Sequence, residues 1–184
     1  MLELSDVTTG SLAGLFRYLD GLEGRAPLAD LVAELQRLPA DLGELKEFMR
    51  FSRQSYARNL VRGGEWYQAL VLCWRNGQRS PIHDHVGSSC GVRVVRGVMT
   101  ETLFEFAPNQ HVKAVCSRDF QPGTVIGSED TDMHQVSNLQ AGDADLVTLH
   151  VYSPPLVRMG TYSLTDLSRG EELMLLEFSD AAGI

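Results

Sequence analysis

The stretch SPIHDHVGSSCGVRVVRG, Ser80 to Gly97, places two histidines one residue apart, with Cys90 shortly after them at the edge of a valine-rich run. Imidazole and thiolate are ligands for borderline and soft metals. In a β-strand, residues two apart share a face, so His83 and His85 can hold one ion between them. A third ligand would complete an open site, and His134, in DMHQVSN on a later strand, is the best-placed candidate. An HxH pair alone is a weak signal, because a lone strand histidine is more often a satisfied core or surface residue. His111, beside the turn APNQ, reads as that ordinary case.

The elements that must position these residues follow from the hydrophobic period. Leu28, Leu31, Val32, Leu35 and Leu38 recur at helical spacing, Pro39 ends that segment, and Leu42, Leu45, Phe48 and Met49 resume it. A small N-terminal helical layer is expected over about residues 1–53. From about Tyr67 the pattern becomes short β-branched runs: QALVLCW, CGVRVVRGVMTETLFEF, VKAVCS, GTVIG, MHQVS and LVTLHVYS. Turn formers separate them in RNGQRSP, APNQ, QPG and LQAGDAD, as in a sandwich or barrel. With 184 residues, no long linker and no internal repeat, the chain reads as one domain.

Composition excludes several classes. A net charge of -8 and the lack of any Lys/Arg run argue against a nucleic-acid partner. No apolar run is long enough to span a membrane, and MLELSDVTTG lacks the basic and apolar regions of a secretory signal, so a cytoplasmic location is expected. Cys73, Cys90 and Cys116 are odd in number and irregularly spaced, and are expected to be thiols. Oligomeric state stays open, a monomer included.

The spacing from Gly77 through His83-Asp84-His85 and Cys90 to Gly97, followed by His134 and Asn138, resembles the two metal-binding motifs of the cupin superfamily. That resemblance implies a mainly β fold, a cupin (double-stranded β-helix, or jelly-roll) barrel over about residues 54–178 behind the helical layer. The first motif usually carries a glutamate ligand where this chain has Cys90, so the remaining ligands are neutral imidazoles. Such a set suits zinc as readily as iron. Cys90 either ligates as well or is a small buried hydrophobe.

HDH with the following Cys90, ETLF at Glu101 to Phe104, LHVYSPP at Leu149 to Pro155 and YARNLV at Tyr56 to Val61 together resemble the cysteine dioxygenase family. The resemblance implies a mononuclear non-haem enzyme with one Fe(II) per chain, held by His83, His85 and His134, that oxidises the thiol of L-cysteine to cysteine sulfinate with O2. Arg58 matches the family's carboxylate-binding arginine, with Tyr56, Tyr152 and Met159 beside the substrate. A guanidinium fork holds a carboxylate bidentately where a lysine cannot. The related 3-mercaptopropionate dioxygenases usually have glutamine in place of that arginine and an arginine after YSPP. Here Met159 occupies that place, with Arg158 next to it.

Thr148, His150 and Tyr152 alternate along one strand face and can form a relay of hydroxyl, imidazole and phenol. The resemblance gives this relay the work of orienting Tyr152, and gives Cys90 and Tyr152 a thioether crosslink, unless Gly91 lets the backbone carry the sulfur out of reach. SPP invites a cis peptide before Pro154 or Pro155, and Trp74 reads as core, or pocket wall at most. Two other classes remain: a non-catalytic metal- and ligand-binding cupin, and a zinc or manganese cupin isomerase.

Overall fold

The structure, a computed structural model, describes residues 11–174, so the expected barrel end near residue 178 lies outside the described residues. Helix α1 (Leu12–Asp20) starts where the Ser11 hydroxyl accepts a hydrogen bond from the Gly14 N–H, and buries Leu12, Leu15 and Leu19. Helix α2 (Leu28–Gln36) follows Pro27 and buries Leu31 and Leu35. It stops ahead of Pro39, whose ring bars the α conformation for the residue before it. The expected third helical stretch is a 3-10 segment, Gly43–Phe48, anchored by the one buried side chain Leu45. Bonds from Leu45 N to Leu42 O and from Met49 N to Lys46 O set its tighter i to i+3 pattern.

Nine antiparallel strands follow among the described residues: β1 (Ala57–Gly64), β2 (Tyr67–Trp74), β3 (Ile82–Arg96), β4 (Met99–Phe106), β5 (Val112–Phe120), β6 (Val125–Ser137), β7 (Leu146–Ser153), β8 (Arg158–Tyr162) and β9 (Arg169–Leu173). They pair in the order β1-β2-β7-β3-β6-β4-β5, with β8 on β3 and β9 on β8. The path does not close into a barrel among the described residues, because β1 and β5 end it. The apolar run from Cys90 to Phe106 is two strands, parted at Gly97, whose φ of 79° turns the chain. Residues 125–127 of GTVIG and all of MHQVS belong to the single strand β6.

Strand alternation sorts the core into two layers. Ala69, Val71 and Cys73 of β2 and Val147, Leu149 and Val151 of β7 meet the leucines of α1 and α2. Leu70, Leu72 and Trp74, with Leu146 and Tyr152, face the interior beside Cys90, Leu156 and Met159. Burial on both faces explains why these two strands read as continuous apolar runs. Gly91 belongs to this arrangement: a Cβ there would lie 2.6 Å from Leu35 Cδ1 and 3.0 Å from Leu31 Cγ, so β3 presses on α2 only without a side chain. Cys90 is therefore not drawn away; it faces inward, registered directly opposite Tyr152.

Candidate active site

The interior face of β3 meets β6 with His83 directly opposite His134, and His85 lies two residues along from His83. Ring centroids of the three imidazoles are 4.6–4.9 Å apart, and one nitrogen of each lies within 4.8 Å of the others. All three are buried. The opposite nitrogen of each ring is occupied: His83 Nδ1 donates to the Pro81 carbonyl at 3.0 Å, His85 Nδ1 meets Ser128 Oγ at 3.2 Å, and His134 Nδ1 meets Glu101 Oε1 at 2.6 Å. These bonds turn the Nε2 atoms toward one another, and His134 Nε2 is buried with no hydrogen-bond partner.

Burial, and then the neighbouring His134, push the His83 pKa down to about 3, and burial with His83 and His134 holds His85 well below the ordinary imidazole range. Neutral imidazoles carry the lone pairs a metal needs. A buried cluster of three, outward nitrogens anchored and inward nitrogens converging, fits a divalent ion with open positions. Cys90 does not converge with them. It is fully buried, and burial pushes its thiol up to about 12, which keeps it protonated. His111 also stays outside the cluster.

Glu101 is the residue that sequence reasoning missed. It sits in ETLF, a motif with no role read from it, on β4 opposite Val136, and Leu103 of the same strand is opposite His134. The carboxylate reaches diagonally across the ladder to His134 Nδ1. A cupin-type glutamate is absent from the converging ligands, yet a carboxylate stands one hydrogen bond behind one of them. Only the β4–β6 register reveals it.

Along β7 the structure brings Thr148, His150 and Tyr152 into one hydrogen-bonded row. His150 Nε2 lies 3.0 Å from Thr148 Oγ1, and His150 Nδ1 lies 3.1 Å from the Tyr152 hydroxyl. Burial, then the Arg58 charge, keeps His150 neutral, and burial raises the Tyr152 pKa so that it stays a phenol. Trp74 is more than core: its indole N–H donates to Thr148 Oγ1 at 3.0 Å, and its ring stacks on Tyr56 with centroids 4.2 Å apart.

Arg58, second residue of β1, places its guanidinium 5.7 Å from the centre of the Tyr152 ring. Its side chain is buried, and Nε and Nη2 have no partner. Together with Tyr56, Arg79 and Pro81 it lines a cleft of about 370 Å³ whose other wall is Glu172, Leu173 and Met174. The C-terminal wall was not foreseen, since β9 is short and polar and shows no strand pattern. Met159 packs in the same cluster as Tyr152 and Cys90 but borders a second cleft, of about 520 Å³, on the side of Asp84 and Pro154–Gly160. Asp84, pointing away from its histidine neighbours, fastens β8 by accepting from Gly160 N at 3.1 Å and from the Tyr162 hydroxyl. Arg158 is exposed and pairs with Glu171. The Ser153–Pro154 peptide is cis.

Comparison with known proteins gives one consistent result. A family model described as cysteine dioxygenase type I matches residues 4–165. The chain is 29% identical over 151 residues to cysteine dioxygenase type 1 of Rattus norvegicus, covering 79% of this chain and 75% of that one. It is 31% identical over 121 residues to the Danio rerio protein of the same name, covering 63% and 60%. Among solved structures, a Klebsiella pneumoniae protein with a double-stranded β-helix domain superposes with a TM-score of 0.51 at 16% identity, covering 60% of this chain and 81% of that one. That likeness carries the fold.

The carboxylate behind His134 yields a direct test. Glu101→Gln keeps size and an acceptor oxygen but removes the charge, and should weaken divalent-metal binding by about 10- to 100-fold. Calorimetric titration of the full chain measures this, and the melting temperature of the metal-free chain should stay within a few degrees of wild type.

Proposed function

The chain belongs to the cysteine dioxygenase type I family of non-haem iron thiol dioxygenases, and we propose that its substrate is L-cysteine, converted with O2 to cysteine sulfinate. The iron ligands in this reading are His83, His85 and His134, with one Fe(II) per chain. The observation that carries the substrate assignment is the Arg58 guanidinium, buried beside the histidine cluster with two donor nitrogens unpaired. An unpaired buried charge is costly. A substrate carboxylate supplies the missing acceptors in the bidentate geometry that a guanidinium favours.

When bound, Fe(II) supplies open coordination positions and a one-electron couple, which let triplet O2 react with a closed-shell thiolate. The protein's residues do the positioning. Arg58 fixes the carboxylate end, so that the thiol, two bonds from the α-carbon, reaches toward the histidine cluster. Tyr56, braced by Trp74, walls the cleft. Tyr152, held as a phenol by its buried setting, keeps a hydroxyl proton between Arg58 and the histidines. Atoms balance simply: the thiol takes up both oxygen atoms and becomes a sulfinic acid, which releases its proton. The free thiols Cys73, Cys90 and Cys116 support a reducing, cytoplasmic setting.

Specific observations weigh against the alternatives. A 3-mercaptopropionate dioxygenase would draw on an arginine after YSPP, but Arg158 is exposed and engaged with Glu171. A binding-only cupin or a sugar isomerase gives no reason for a buried carboxylate clamp and a phenol relay at the same centre.

Arg58→Ala should raise the KM for L-cysteine by roughly one to three orders of magnitude, as expected for losing a charge-assisted contact. Slow oxygen uptake with cysteamine, which has no carboxylate, should change little; an equal loss on both thiols would make Arg58 structural. In the same reading Cys90 and Tyr152 crosslink during turnover. A C–S bond replaces S–H and an aromatic C–H, and O2 accepts the two hydrogens. Their cross-strand register supports this. Mass spectrometry of digests after incubation with iron, cysteine and O2 should find the Cys90 and Tyr152 peptides joined at two hydrogens below their sum. A Cys90 that stays fully alkylatable in unfolded, extensively turned-over protein would exclude the link.

A further inference from the structure

We infer that Trp74 is a positioning residue: it sets the direction of the Thr148–His150–Tyr152 hydrogen-bond chain, fixing His150 as the Nδ1–H tautomer and leaving the Tyr152 phenol to donate its proton into the site. The inference rests on the reading that a thiol substrate held by Arg58 lies beside Tyr152.

Trp74 is the one member of this hydrogen-bond chain whose role cannot change. An indole N–H only donates, so Thr148 Oγ1, 3.0 Å away, accepts from Trp74. Thr148 is completely buried, and its hydroxyl has Trp74 and His150 as its side-chain partners among the described residues. Its own proton must go somewhere, because a buried hydroxyl left without an acceptor forfeits its solvation with nothing in return. His150 Nε2, 3.0 Å away, is the acceptor at hand. Nε2 is then unprotonated, and in a neutral ring Nδ1 carries the hydrogen. His150 Nδ1 accordingly donates to the Tyr152 oxygen at 3.1 Å.

The reverse direction leaves Thr148 Oγ1 facing two donors, with its proton stranded. Trp74 alone removes the symmetry between the two. At the far end, Tyr152 accepts from His150 and faces the Arg58 guanidinium, which can only donate. The phenolic proton is left with the Cys90 sulfur, a weak acceptor across the ladder, or with a bound ligand. A thiolate or oxygen ligand is the stronger acceptor, so Tyr152 works as a donor. Trp74 also stacks on Tyr56, so one side chain braces the substrate cleft and orients the relay.

The test is 15N NMR of the histidine side chains in the full chain loaded with Zn(II), a diamagnetic ion that an imidazole set accepts. In wild type, His150 should be protonated at Nδ1. Trp74→Phe keeps an aromatic ring against Tyr56 but removes the donor, so the Nε2–H form should grow at the expense of Nδ1–H. In the Fe(II) form the same variant should lose about 10- to 100-fold in kcat, with KM for the thiol changed less than about threefold. Wild-type His150 protonated at Nε2 would overturn the inference without any variant being needed. So would a tautomer unchanged in Trp74→Phe, or a changed tautomer with unchanged kcat. Failure of wild type to take up O2 with thiols would instead refute the dioxygenase reading and leave the tautomer result to stand by itself.

Discussion

The structure depends on one constraint: three imidazoles must bring their Nε2 atoms together in a buried interior while the outer nitrogen of each ring keeps a hydrogen-bond partner. Two adjacent antiparallel strands meet it. The pleat puts His83 and His85 on one face, and the β3–β6 register sets His134 opposite His83. A slip of one residue in that pairing would turn His134 out of the interior. The Pro81 carbonyl, Ser128 and Glu101 hold the outer nitrogens, and each belongs to a different segment: the entry to β3, then β6 and β4. The center of the sheet and the chemistry of the site are therefore one problem in packing.

Charge is arranged in the same layered way. His83 and His85 are held neutral by burial, with Glu101 behind His134 and Arg58 across Tyr152. In the proposed reading, a divalent ion held by the imidazoles and the Arg58 guanidinium would together receive a substrate that brings a thiolate and a carboxylate. The N-terminal helices serve this interior from outside, pressing on strands whose glycines let the backbone approach. Arg25, ahead of α2, bonds Ser89 and Asp130, and ties this layer to β3 and β6 beside the histidines.

Much of this was legible in the sequence because the signals are local. HDH in a strand shares a face by geometry alone, and alternation in LVTLHVYS placed Thr148, His150 and Tyr152 together. Arg58 and Tyr56 needed the family resemblance, since an arginine in an ordinary strand says nothing of its burial. Glu101, Asp84 and the indole of Trp74 escaped because their roles come from register and from third partners far along the chain. Helical periodicity overreached at Leu42–Met49, where Gly43–Phe48 is a 3-10 segment with Leu45 as its one buried side chain. The strands β8 and β9 carry charged and small residues without alternation, so tertiary contacts, such as the Asp84 clamp on β8, decide their form.

In the proposed reaction this site joins both atoms of O2 to a thiol sulfur. The most direct measurement is incubation of iron-loaded wild-type chain with L-cysteine and 18O-labelled O2, followed by mass analysis of the product. The expected product is cysteine sulfinate with both oxygens on sulfur labelled, and one O2 consumed per thiol. Cystine alone, or sulfinate whose oxygens come from solvent, would contradict it.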